Sequence, residues 1–102
     1  MKTLEILRNA RKLIEKPEHW CHMFLARDRA SFPVDPASPS ACRWCLLGAI
    51  RRVGGPVPTI LQLNLLSIAN DRMTHPEVLA WLDRAIALVE RRMRKKGDAA
   101  LP

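Results

Sequence analysis

Tyrosine is absent from this chain, and phenylalanine occurs only twice. Stacking of nucleobases on exposed rings is therefore not expected, because the three tryptophans fall on apolar faces. Glycine is scarce too, at four residues. None of them builds a phosphate-cradling loop, and the sequence has neither a nucleophile elbow nor a zinc-binding His-Glu-x-x-His. No apolar run approaches the roughly 20 residues that a membrane span needs. Met1 to Ile6 mixes charge with apolar side chains where a secretory segment would be continuously apolar. Three cysteines are an odd number, which argues against a secreted disulfide framework. These absences lead us to expect a cytoplasmic protein with no membrane partner.

The 102 residues amount to one domain. Folding at this length hides roughly 60–70% of the unfolded surface, enough for one modest core. We expect a single helical domain over residues 1–97 and a disordered C-terminal tail over residues 98–102. The formal net charge is +7. Without Arg91, Arg92, Arg94, Lys95, Lys96 and Asp98 it falls to +3, so the basic excess belongs to the C-terminal end.

Leu4, Leu7, Ala10, Leu13 and Ile14 share one stripe, which predicts a first helix over Leu4 to Lys16. Thr3 is its expected cap and Pro17 its stop. The short apolar pieces Met23 to Ala26 and Ser31 to Val34 predict a hairpin, with Pro33 holding the second piece at an edge. A second helix should start after Ser40 as N-cap and run to about Val53, before Gly54-Gly55-Pro56. Residues 60–66 alternate like a strand, but their leucines and few β-branched side chains favour a third helix. Thr74-His75-Pro76-Glu77 is a capping box opening a fourth helix. Val78, Leu82, Ala85, Val89 and Met93 form its stripe, and Gly97 is its expected end. The fold class is thus mostly α: a compact four-helix domain with a short two-stranded β-hairpin between helices one and two.

Trp20, Arg27-Asp28, Asp35, Trp44-Cys45 followed by Gly48-Ala49-Ile50, Asn70-Asp71, Val78-Leu79 and Leu82-Asp83-Arg84-Ala85-Ile86 make up one pattern along the chain. It resembles an uncharacterised family of small bacterial and phage proteins, a domain of unknown function. The resemblance brings no established activity. It implies that these residues belong to a shared pattern, from which Cys21 and Cys42 are excluded. This chain departs from its relatives at the hairpin tip, Arg29-Ala30-Ser31, where glycine is frequent. It departs again at Ala69, where an aromatic residue is frequent.

Four groups of residues bear on chemistry. Cys42 and Cys45 form a Cys-x-x-Cys, which with Cys21 and His22 would supply four zinc ligands. A redox reading of the same motif lacks the long parallel strands of a thiol oxidoreductase. With no second Cys-x-x-Cys, the plain reading is a buried Cys45 and an ordinary Cys42, and we expect no metal and no cofactor. Asn70 and Asp71, joined by Asp28, Asp35 and Trp20, would make a polar ligand-binding cluster, whereas as turn residues they would bond their own backbone. Arg91, Arg92, Arg94, Lys95 and Lys96, extended by Arg51 and Arg52, would track phosphates; their plain role is to offset the helix dipole and stay solvated. Each tryptophan has an indole N–H that needs a partner when buried, and Asp28, Asp35 and Asn70 are the natural acceptors. We expect a Trp–Asp/Asn network tying loops to helices. The function expected from this is non-catalytic, not enzymatic: an intracellular accessory protein that binds a protein partner or self-associates. Nucleic-acid binding through the basic end is the alternative, and a small zinc or ligand binder is the third.

Overall fold

The computed structural model describes residues 3–54 and 70–100, with residues 95–100 described as backbone alone. Among the described residues the chain is mostly α: four helical segments, with a two-stranded antiparallel ribbon between the first and the second. Helix α1 spans Thr3–Leu13 and buries Ile6, Leu7 and Ala10. It stops short of the expected Lys16. Glu15 N reaches back only to Lys12 O (3.4 Å), which tightens the last turn. Lys16 is then extended, with φ −85° and ψ 136°, as a residue before proline must be. A 3-10 turn follows at Pro17–His19.

Strand β1 is Ala26–Arg27 and strand β2 is Arg43–Trp44. They pair antiparallel, Ala26 opposite Trp44 and Arg27 opposite Arg43. This corrects the expected pairing of Met23–Ala26 with Ser31–Val34. The second piece does fold back: Asp28 N donates to Phe32 O (3.0 Å) and Val34 N to Ala26 O (3.0 Å). Only Arg27 and Pro33 form a bridge there, because Pro33 has no N–H to extend a ladder. The donors come instead from the other edge, where Cys42 N reaches Arg27 O (2.9 Å) and Cys45 N reaches Leu25 O (3.2 Å).

Those bonds hold residues 42–45 extended, so helix α2 begins at Leu46 and runs to Gly54. Ser40 is not its cap; the Ser40 and Ser38 hydroxyls bond each other in the preceding turn (2.9 Å). A helical turn at residues 70–72, α3, leads into α4, His75–Ala100. The expected third helix over residues 60–66 lies outside the described residues. The capping box forms as written: Thr74 N and Thr74 Oγ1 both donate to Glu77 Oε1 (2.9 Å each), and Glu77 N donates to Thr74 Oγ1 (3.4 Å). Gly97 does not end α4, which passes through it. A glycine inside a helix costs only about 1 kcal/mol relative to alanine.

The core joins Ile6, Leu7, Ala10 and Ile14 of α1 and its end to Leu46, Ala49 and Ile50 of α2. Val78 and Leu82 of α4 close it, with Ala26 and Trp44 from the ribbon. Each fully buried large aliphatic side chain stabilises the fold by about 1.5–3 kcal/mol. Helices α1 and α4 run antiparallel, as the pairs Arg11–Asp83 (2.6 Å) and Arg8–Glu90 (3.1 Å) require. Gly54 at the end of α2 packs on Ile6, so α2 finishes at the same end of the molecule as residue 90. No described helix is long and apolar enough to cross a membrane.

Candidate functional site

The polar centre lies at the other end, where the ribbon meets α3. Asn70 is fully buried. Its Oδ1 accepts from the Trp20 indole Nε1 (2.7 Å) and from Leu46 N (3.0 Å). Its Nδ2 donates to Cys21 O (3.3 Å) and Asp71 Oδ1 (3.4 Å). A side-chain amide has two donor hydrogens and two acceptor lone pairs, so Asn70 is used up. One side chain thereby fixes the loop after α1, the first amide of α2 and its own helix. Beside it, Trp20 meets the His22 ring edge-on, at 4.2 Å between centroids. His22 Nε2 donates to Met73 O (2.9 Å), and His75 Nε2 donates to Ile14 O (2.7 Å), one of the carbonyls freed at the end of α1.

The other carboxylates serve the backbone. Asp71 Oδ1 accepts from Met23 N (2.9 Å), which holds Met23 at a positive φ of 77°. Asp28 Oδ1 accepts from Ala30 N (2.9 Å) and Phe32 N (3.0 Å), and Asp35 Oδ1 from Ala37 N (2.8 Å). These are turns closed by their own side chains. The structure therefore brings together Trp20, Asn70 and Asp71 of the expected cluster, while Asp28 and Asp35 each close a separate turn. The indole network holds at Trp20. At Trp44 the acceptor is the Pro36 carbonyl (3.1 Å), not an aspartate.

Trp44-Cys45-x-x-Gly48 also has a physical reading. Trp44 ends β2 with its ring in the core. Cys45 then caps α2: its carbonyl accepts from Ala49 N (2.8 Å) and its Sγ from Gly48 N (3.3 Å). Sulfur here takes the place of the usual N-cap oxygen. At Gly48 the Leu25 backbone crosses so closely that any Cβ would overlap the Leu25 carbonyl oxygen. A family model described as a family of unknown function, DUF6197, matches residues 1–69. The chain belongs to that family. No curated protein and no solved structure matches it. The DUF6197 match contains Trp20, Trp44, Cys45 and Gly48, and it ends one residue before Asn70.

The three thiols of this DUF6197 chain are free. Burial pushes the Cys21 thiol up from 9.0 to about 11, helped by the neighbouring Cys45. Burial also raises Cys45. Cys42 is half-buried and borders an open cleft of about 500 Å³ with Asp28, Arg29 and Ala41. The zinc set Cys21, His22, Cys42 and Cys45 is not brought together. The Cys-x-x-Cys brackets β2 instead of lying on one helical turn. Among the described residues, no three His, Cys, Asp or Glu side chains are placed to hold a metal ion.

The basic candidates divide. Arg91, Arg92 and Arg94 are exposed on α4, Lys95 and Lys96 follow them in the helix, and Arg51 is exposed near the end of α2. Arg52 is engaged elsewhere: its Nη1 donates to Pro36 O (3.1 Å) and Ser38 O (2.9 Å), with its guanidinium over the Trp44 ring. Two features escape a reading by sequence: the Cys45 cap and the Arg27–Arg43 juxtaposition across the ribbon. Each depends on which segment pairs with β1.

Proposed function

We propose that this chain is a non-catalytic interaction protein that presents the second half of α4 to an acidic protein partner. The observation that carries this reading is that, among the described residues, α4 outlasts its cover. It has 26 residues against 11 in α1, and the antiparallel pairing uses up α1 near Glu90. The apolar stripe continues to Met93, which is 48% exposed. Around it stand Arg91, Arg92 and Arg94, which have no ion-pair partner among the described residues. An amphipathic helix with an open stripe and a basic flank suits a groove or helix of opposite charge. Exhaustion of the Asn70 hydrogen-bonding groups supports the non-catalytic part, because that centre ties segments instead of offering free groups to a substrate.

A second reading, nucleic-acid binding, draws on the placement of Arg51 at the same end. It requires affinity that falls steeply with salt and tracks the number of phosphates contacted. The resemblance to bacterial and phage proteins sets the test: affinity capture from a nuclease-treated bacterial extract, comparing the natural chain with R91Q/R92Q/R94Q. The proposal expects an acidic protein that the triple variant loses. Self-association would appear as a dimer by light scattering, sensitive to Met93→Glu. A monomer that retains nothing, or that retains only nucleic acid before nuclease treatment, overturns the protein-partner reading.

A further inference from the structure

The ribbon carries a charge arrangement that folding alone does not favour. Arg27 and Arg43 stand directly opposite each other across β1 and β2. Opposed residues of an antiparallel pair project to the same face with their Cβ atoms about 5 Å apart, and like charges so placed repel. Both side chains are half-buried. Among the described residues neither has a carboxylate partner. The nearest carboxylate in sequence, Asp28, has an oxygen committed to two turn amides. By contrast, Arg8 and Arg11 on α1 are each matched by a carboxylate.

One of the two guanidiniums is already held in place. Arg27 Nη1 donates to Ser31 O (2.8 Å), and the group lies 4.5 Å from the centre of the Phe24 ring. Most of its five N–H donors remain for a ligand. The Phe24 ring beside Arg27 is 43% exposed, and its neighbour in sequence Met23 is 72% exposed. Met23 and Ser31, which flank this display, are the two non-glycine residues with positive φ among the described residues. Backbone geometry of that kind costs energy and persists where the surroundings impose it. Asp71 imposes it at Met23 through the bond to Met23 N.

We propose that the face bearing Arg27 and Arg43 binds an acidic segment of a protein partner, with carboxylates on the two guanidiniums and an apolar side chain against Phe24 and Met23. Charge complementarity selects the acidic group, because two unmatched guanidiniums hold several donors for carboxylate oxygens. The exposed Phe24 ring and the adjoining Met23 select a protein over a nucleic acid, since a phosphate backbone would leave them in water. Arginine, methionine and phenylalanine are also the residue types enriched at protein interfaces. This surface lies at the opposite end from the exposed half of α4 and stands independently of the reading given to that helix.

The test uses the full chain and three labelled probes of equal charge: a peptide alternating glutamate with leucine, one alternating glutamate with glycine, and a single-stranded oligonucleotide. Binding is read by anisotropy and located by amide chemical shifts. The glutamate–leucine peptide should bind tightest and shift residues 23–27 and 43–44. Arg43→Gln should weaken it about tenfold, the effect of losing one charge-assisted hydrogen bond. Arg43 makes no side-chain hydrogen bond among the described residues, so this variant tests recognition without touching the loop that Arg27 supports. Phe24→Ala should remove the preference for leucine over glycine. R91Q/R92Q/R94Q should leave binding at the ribbon unchanged. Equal affinity for all three probes, tighter binding of the oligonucleotide, or shifts confined to α4 would each overturn the proposal, the last of these while leaving the α4 reading intact.

Discussion

The two ends of this molecule are held together by different means. Along α1 and α4, apolar stripes close over one another and arginines find carboxylates at the surface. At the ribbon end there is little regular structure, two residues in each strand, and cohesion comes from single side chains that each satisfy several backbone groups. Asn70 alone bonds Trp20, Leu46, Cys21 and Asp71. A helix interface spreads its stability over many replaceable contacts, whereas a ribbon tied this way concentrates it in a few. The DUF6197 match includes the tied residues Trp20, Trp44, Cys45 and Gly48.

Substitution of Gly48 should break the comparison most visibly. In Gly48→Ala the new methyl overlaps the Leu25 carbonyl oxygen. The obstacle is backbone, which cannot turn aside as a side chain would. Either α2 or the segment before β1 must move, and we expect a loss of about 3 kcal/mol or more, at the upper end of overpacking penalties. Chemical denaturation followed by tryptophan fluorescence would measure it. A stability within error of the natural chain would show that the crossing is not tight.

Asn70→Leu is expected to come next. It leaves the buried Leu46 amide and the half-buried Trp20 indole N–H without their acceptor, the amide alone at about 1–3 kcal/mol. The sharper result is where the damage falls. Hydrogen exchange should rise at residues 20–27 and 42–46, while the α1–α4 interface keeps its protection until global unfolding. Uniform loss of protection would mean that the two ends form one cooperative unit.

These two positions also mark how far the residues alone can be read. The α1 stripe and the Thr74–Glu77 box depend on neighbours within one or two turns, and each is legible; the end of α1 is not, since the helix closes at Leu13, ahead of Pro17. The Trp20–Asn70 bond was also within reach, because a buried indole needs an acceptor and the chain offers few. The ribbon was not. Ala41, Trp44, Cys45 and Gly48 have helical spacing, and Ser40 makes a good cap, so residues 41–45 read as the start of α2. Only the donors and acceptors of β1, about 16 to 18 positions earlier in the sequence, pull them into extended form. Once pairing is mistaken, the opposition of Arg27 and Arg43 cannot be seen, since it is a property of register. Gly97 misleads in the other direction: it is a weak local stop signal, and α4 continues through it.

Alkaline pH should weaken the ribbon end through its thiols. Cys21 titrates at about 11 in the folded chain against 9.0 for an unperturbed thiol, and Cys45 is raised as well. Their protonated forms are thus favoured by folding. The resulting stability is fully present below pH 9, and it is lost as pH rises towards 11, because the unfolded chain releases these protons first. Thiol alkylation at neutral pH should label Cys42 well before Cys21 or Cys45, which react only once the fold opens. Replacing Cys21 with alanine should flatten the alkaline decline; an unchanged decline would assign it to other groups.

The smallest effect should come from the better-formed ion pair. Arg11 bonds Asp83 through two nitrogens, Nε at 2.6 Å and Nη2 at 3.3 Å, and also meets Glu15 at 3.1 Å. On geometry it outranks any polar contact at the ribbon. Yet the Asp83 side chain is 56% exposed, and water and salt screen such pairs. A double-mutant cycle of Arg11→Gln with Asp83→Asn should give a coupling of about 0.5 kcal/mol, falling further with added salt. Asn70, with longer bonds and no charge, should cost several times more to remove, because the Leu46 amide and the Cys21 carbonyl that it bonds are buried away from water. If the cycle instead returned a coupling near that of Asn70→Leu, burial would not be what separates the two ends, and the ranking of their contacts would have to follow charge.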